Sequence, residues 1–200
     1  MSTKRLQASE RRRQILDSAL KIFAARGFKG TTTSAVAEAA GISEPILYRH
    51  FKNKLDLFHK LLEDVASRTL ARWSTLIEKK PGSSVAAIER MARDLPAHLE
   101  AIRRENALLT RCIADAAEDA SLRRILVDYY SGYALFLEGL LQDGVNEGSL
   151  RRNLDCQTAA WQLMGPGLAY SHTEGLRLDP KVKSKALRES VRALMKDWSA

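Results

Sequence analysis

Between Gly27 and Lys54 the chain carries two helix-start signals and a glycine stop in close succession. Thr31, Thr32 and Thr33 offer hydroxyl caps to a short apolar stretch over residues 35–40, which Gly41 closes after about two turns. Ser43 then caps a third helix, because Pro45 falls in its first turn, where a missing N–H does no harm, and residues 46–51 continue it. Two short helices flanking a tight glycine turn cannot bury much on their own. They need longer helices to pack on, and the rest of the chain supplies them.

Residues 11–26 repeat apolar side chains (Ile15, Leu16, Ala19, Leu20, Ile22, Phe23) at helical spacing, and Gly27 followed by Phe28 has the form of a glycine C-cap. Lys54 opens a long amphipathic pattern that runs through Leu55, Phe58, Leu61, Leu62, Val65, Leu70, Trp73 and Ile77 to the break at Lys80-Pro81-Gly82-Ser83. Further periodic segments span residues 85–103, 105–117, 122–146, 156–176 and 181–198. Gly165-Pro166-Gly167 interrupts one of them, as a kink beside a pocket or as a break between two helices. With 45% hydrophobic residues and only 5 prolines, the chain reads as all-α and long enough for a substantial core. A boundary near Lys54 divides it into residues 1–53, a three-helix helix-turn-helix unit with a basic arm at residues 1–10, and residues 54–200, a second helical domain.

The charge is unevenly placed. Residues 1–60 hold 12 Lys/Arg against 5 Asp/Glu, so they carry nearly all of the net +8. A polyanion is the natural partner of that end. The basic arm, with Lys4 and Arg5 running on to Arg11, Arg12 and Arg13, either tracks DNA or is a solvated tail. No apolar segment follows it as in a secretory signal, and no run approaches the ~20 apolar residues of a membrane span, so a cytoplasmic protein without a membrane partner is expected.

The glycine turn and second short helix have the geometry that braces one helix and lets the next enter the major groove. Ile42, Leu47 and Phe51 anchor that second helix, leaving Glu44, Ile46, Tyr48, Arg49 and His50 to face outward. Glu44 suits a cytosine amine, Ile46 a thymine methyl and Arg49 a guanine. The run Gly27-Phe28, Thr31-Thr32, Val36-Ala37, Ala40-Gly41-Ile42-Ser43, Leu47-Tyr48, His50-Phe51 and Lys54 resembles the TetR family of bacterial regulators. The resemblance implies a DNA-binding surface of Thr32, Thr33, Ser43, Glu44, Pro45, Ile46, Tyr48, Arg49, His50 and Lys54, with Thr32 or Thr33, Tyr48, His50 and Lys54 on phosphates. Lys54 also heads the long helix, whose first amides are suited to sharing a phosphate. The plainer alternatives are half-buried packing for Tyr48 and His50 and a solvated charge for Lys54. Ala35 stands where the family often has an acidic residue, and Glu44-Pro45-Ile46 offers few base-reading donors.

The resemblance further implies a homodimer formed through the last two helices, a near-palindromic double-stranded operator, and release by an apolar or amphipathic effector. Trp73, Met91, Leu95, His98, Leu109, Cys112, Tyr129, Tyr133, Phe136, Trp161, Met164 and His172 either line the effector's cavity or build an ordinary core. No HExxH, phosphate loop, nucleophile elbow or metal-spaced Cys/His cluster is present, so no enzyme, cofactor or metal is expected. Ser18 and Lys21 spell an isolated SxxK, read as chance, and Cys112 and Cys156 read as reduced core thiols.

Overall fold

A computed structural model describes residues 8–78, 82–173, 176 and 178–200. The first seven residues of the basic arm therefore lie outside the described residues, and Ala8, Ser9 and Glu10 already belong to the first helix. The helices are α1 (Ala8–Arg26), α2 (Thr33–Ala39), α3 (Glu44–Tyr48), α4 (Lys54–Glu78), α5 (Ser84–Ala101), α6 (Arg103–Ala116), α7 (Ala120–Asn146), α8 (Cys156–His172) and α9 (Pro180–Trp198). Among the described residues no strand occurs beyond one isolated bridge between Leu150 and Ser199.

The chain divides into two compact units, and the division is not the expected one at Lys54. The first unit holds the described residues up to Val65 together with Ala107–Val127; the second holds Ala66–Asn106 and Asp128–Ala200. The physical reason is visible in the core of the first unit. Phe58, on α4, meets Phe23 and Phe28 edge-on, each at 5.2 Å between ring centroids, and Leu57, Leu61, Leu62 and Val65 of the same helix are also buried. A helix end that completes a core belongs to that core, whatever its length beyond it. Residues Leu108, Cys112 and Leu122, each with no exposed surface, add α6 and the start of α7 to the same unit. Full burial of such side chains is worth about 1.5–3 kcal/mol each.

In the second unit α5, α8 and α9 pack together around Ile88, Leu187, Val191, Met195 and Trp198. Of the two readings of Gly165-Pro166-Gly167, the break is excluded: α8 runs through it from Cys156 to His172. A Cβ at position 167 would lie 3.3 Å from Leu95 Cδ2, so a glycine there lets α8 approach α5 closely.

Candidate nucleic-acid interface

The interface is built on α1. Its end is marked by Gly27, whose φ of +71° suits glycine alone among common residues, and Thr31 Oγ1 donates to the Gly27 carbonyl at 2.8 Å beneath the turn. Thr32 then caps α2 by accepting from the Ala35 amide at 3.2 Å. The far end of α2 is held by α1: Gln14 Nε2 donates to the Ala40 carbonyl at 3.0 Å and Ser18 Oγ to that of Ala39 at 3.3 Å. Ser18 of the SxxK run is thus a buried tether between α1 and α2. Val36, Ala37 and Ala40 are buried, and Gly41 at φ +65° turns the chain into α3.

Helix α3 is a single five-residue turn. Leu47 and Phe51, 0% and 1% exposed, pin it from below. Ser43, at the cap position, makes no cap bond with its side chain. Ser43, Pro45, Ile46, Tyr48 and Arg49 are exposed, whereas Glu44 and His50 are half-buried. Of the five residues expected to face outward, Ile46, Tyr48 and Arg49 do so fully. Glu44 is held in place: Thr33 Oγ1 lies 2.5 Å from its Oε1 and 3.0 Å from the Tyr48 hydroxyl. His50 accepts from Arg12 Nη1 through its carbonyl at 3.2 Å, while the Arg12 guanidinium lies 4.7 Å from the Phe51 ring centroid. Burial, and then the charges of Arg12, Arg49 and Arg11, hold the His50 imidazole below its ordinary pKa.

Lys54 is engaged within the unit. Its ammonium donates to the carbonyls of Phe28 and Thr31, both at 3.0 Å, and lies 4.5 Å from the Phe28 ring centroid. At the start of α4, Asn53 Oδ1 accepts from the Asp56 amide at 2.8 Å, and Asp56 accepts from the Lys52 amide at 2.8 Å. A carboxylate thus stands at the helix start where a phosphate is expected. Arg11, absent from the residues singled out on α3, lines an open cleft of about 610 Å³ with Glu38, Gly41, Ile42, Ser43 and Ile46. The signal for it was the Arg11-Arg12-Arg13 run, which the sequence places both at the end of the basic arm and at the start of the first helix.

The residues considered for an effector cavity separate. In the second unit Trp73 meets Tyr133 at 5.5 Å, Phe136 at 5.7 Å and His98 at 6.5 Å between centroids, and the Tyr133 hydroxyl donates to that of Tyr129 at 3.2 Å. His98 is 6% exposed and its Nε2 has no hydrogen-bond partner. Met91 and Met164 are buried in the same unit, with Leu95 against Gly167. Leu109 and Cys112, by contrast, belong to the first unit, where burial pushes the Cys112 thiol up to about 12. Trp161 is 47% exposed, and His172 is exposed with Nδ1 2.9 Å from the Leu168 carbonyl, so neither lies in the interior. Periodicity places large apolar residues on a helix; it does not say which side of a bundle that helix closes.

The basic first unit, with a one-turn helix presented on a braced scaffold, defines a helix-turn-helix transcriptional regulator. Residues 15–61 match the family model described as bacterial regulatory proteins, tetR family. The fatty acid metabolism regulator protein of Bacillus subtilis is 25% identical over 91% of this chain and 92% of its own. The HTH-type transcriptional repressor KstR2 of Mycobacterium tuberculosis is 29% identical over 74% of each chain. Among solved structures, the regulator FadR from Bacillus subtilis in complex with stearoyl-CoA shares the fold, with a TM-score of 0.71 and 21% identity over 90% of this chain and 96% of that one. Residues 15–61 thus carry the DNA-binding signature of the TetR family, and nearly the whole chain shares the fold of a solved regulator of that family from Rhodococcus.

Proposed function

We propose that this regulator is a repressor that binds a near-palindromic double-stranded operator as a homodimer and is released by an apolar or amphipathic small molecule. The observation that carries the reading is the α3 face. Exposed Ser43, Ile46, Tyr48 and Arg49 stand together on a pinned turn, beside Arg11 and in the part of the chain that holds most of the net positive charge. Thr32 and His50 supply neutral donors suited to phosphates, and Thr33 and Tyr48 join them by giving up their mutual hydrogen bond when DNA engages; Glu44, Pro45, Ile46 and Arg49 supply the base-facing set. Such a protein works beside the chromosome, in the cytoplasm, and by binding rather than catalysis.

Homodimerisation is supported by Trp161 on α8, 47% exposed, and by Leu178 and Val182 at the start of α9, 50% and 63% exposed. Large apolar side chains in solvent favour a covering partner. For the effector, the aromatic wall of Trp73, Tyr133 and Phe136 suits an apolar body, and the name of one relative and the ligand of a similar structure make long-chain acyl compounds the first to test.

Selection of duplexes from a random pool by the purified protein tests the reading. A recovered motif with dyad symmetry is the expected result. Recovery of no motif, with binding that depends on salt alone, overturns it.

A further inference from the structure

The turn after α1 is gripped from two sides by groups of opposite charge. Asp115, next to the end of α6, accepts through one oxygen from the backbone amides of Phe28 at 3.0 Å and Lys29 at 3.2 Å, which lie 87 and 86 residues away in sequence. The Lys29 ammonium pairs with Glu118 in the same segment. Gly27 is required twice over, because its φ is +71° and a Cβ there would stand 3.3 Å from the same Asp115 oxygen. From α4, Lys54 takes the carbonyls of Phe28 and Thr31. Phe28 therefore gives its N–H to a carboxylate on one helix and its C=O to an ammonium on another.

The next residue after Thr31 is Thr32, the cap of α2, and α2 leads through Gly41 into α3. Whatever holds residues 28–31 holds the start of the helix-turn-helix. We infer that Asp115 and Lys54 are positioning residues for DNA binding, an ionic clamp through which α6 and α4 set the placement of α2 and α3. Both helices continue into the second unit, α4 beyond Val65 and α6 before Ala107. The inference rests on the DNA-binding reading and deepens it.

Its sign separates it from simple electrostatics. A carboxylate repels phosphates, so its removal, judged by charge alone, strengthens DNA binding. The clamp requires the reverse when the acceptor is lost. The test is a titration of a labelled duplex, selected by the wild-type protein from a random pool, with wild type, Asp115→Ala and Asp115→Asn. Both variants remove the charge, but asparagine keeps a carbonyl oxygen for the two amides. Asp115→Ala is expected to bind about tenfold more weakly, within the usual range of couplings between sites, and Asp115→Asn within about twofold of wild type. Amide exchange at Phe28 and Lys29 should accelerate in the alanine variant only. If Asp115→Ala binds as tightly as Asp115→Asn, the clamp is refuted. Should the alanine variant not fold, Asp115→Glu keeps the charge and moves the carboxylate by one methylene; it should also bind more weakly, and wild-type affinity there overturns the inference. For Lys54→Ala, weaker binding with an unchanged salt slope is expected, whereas a slope smaller by about one places Lys54 on a phosphate and removes it from the clamp. Failure of the wild-type protein to select any duplex would instead count against the DNA-binding reading, before a variant is made.

Discussion

The Tyr48 hydroxyl lies 3.0 Å from Thr33 Oγ1, and the direction of that bond is set by what Thr33 does next. Thr33 Oγ1 is 2.5 Å from Glu44 Oε1, and an ionised carboxylate only accepts, so Thr33 donates to Glu44 and Tyr48 donates to Thr33. The relay crosses from α3 to α2 and back. It orients Glu44 through Oε1.

Thr33→Val keeps the side-chain shape and removes the relay. Glu44 then loses its fixed direction, and if it reads a cytosine amine the preference at that base should fall by about 1–3 kcal/mol. Stability should change by only about 1 kcal/mol, since the pair Thr33 and Tyr48 is exposed. Selection on a randomised half-site measures the first and urea denaturation the second. Undiminished preference at every position removes Glu44 from base reading.

Arg49 is exposed and only backbone bonds link its amide to α3. Arg49→Ala should relax preference at one base position, again by about 1–3 kcal/mol. An even loss across all duplexes, accompanied by a smaller salt slope, assigns Arg49 to a phosphate.

His50 and His98 are both held below the ordinary histidine pKa, His98 by burial first and then by Arg72, partly offset by Asp94. A depressed folded pKa means that the unfolded chain binds protons first as pH falls. Their contribution to stability is therefore fully present above about pH 6.5 and is lost as pH drops through the lower folded values. Unfolding free energy should be flat from about pH 7 to 8 and decline below about 6.5. His98→Phe should remove more of that decline than His50→Gln, because His98 is the more deeply buried. A decline unchanged in both variants would place its origin in carboxylates.

Trp161→Glu and Val182→Glu put charges on the exposed apolar positions of α8 and α9. Each should raise the concentration at which the protein dissociates in sedimentation and weaken operator binding in parallel, since two half-sites need two recognition helices. Monomeric wild-type protein at micromolar concentration contradicts the arrangement. For the effector, stearoyl-CoA, the ligand of the similar Bacillus subtilis structure, is the compound to test: its affinity with and without operator DNA should differ by the factor by which it changes DNA binding, and equal affinities remove it as the effector.

The helix-turn-helix was legible in the chain because its determinants are local. Gly27 and Gly41 adopt left-handed backbone, Thr32 caps the helix that follows it, and Leu47 and Phe51 fall on one face of a short turn, all within a few residues of one another. Helix starts at Lys54, Cys156 and beside Pro180 likewise follow from caps and prolines close in sequence. Side chains that act at a distance were not legible. Neither period nor motif says that Asp115 returns to Phe28, that Lys54 gives its ammonium to two carbonyls, or that Leu109 and Cys112 join the first unit while Trp161 turns to solvent. Gly165-Pro166-Gly167 was ambiguous for the same reason: local propensity weakens a helix there, and packing of Gly167 against Leu95 accompanies its continuation. Backbone conformation is decided over a turn of chain, whereas the partner of a charge or an apolar face is decided by which helices the whole core brings together.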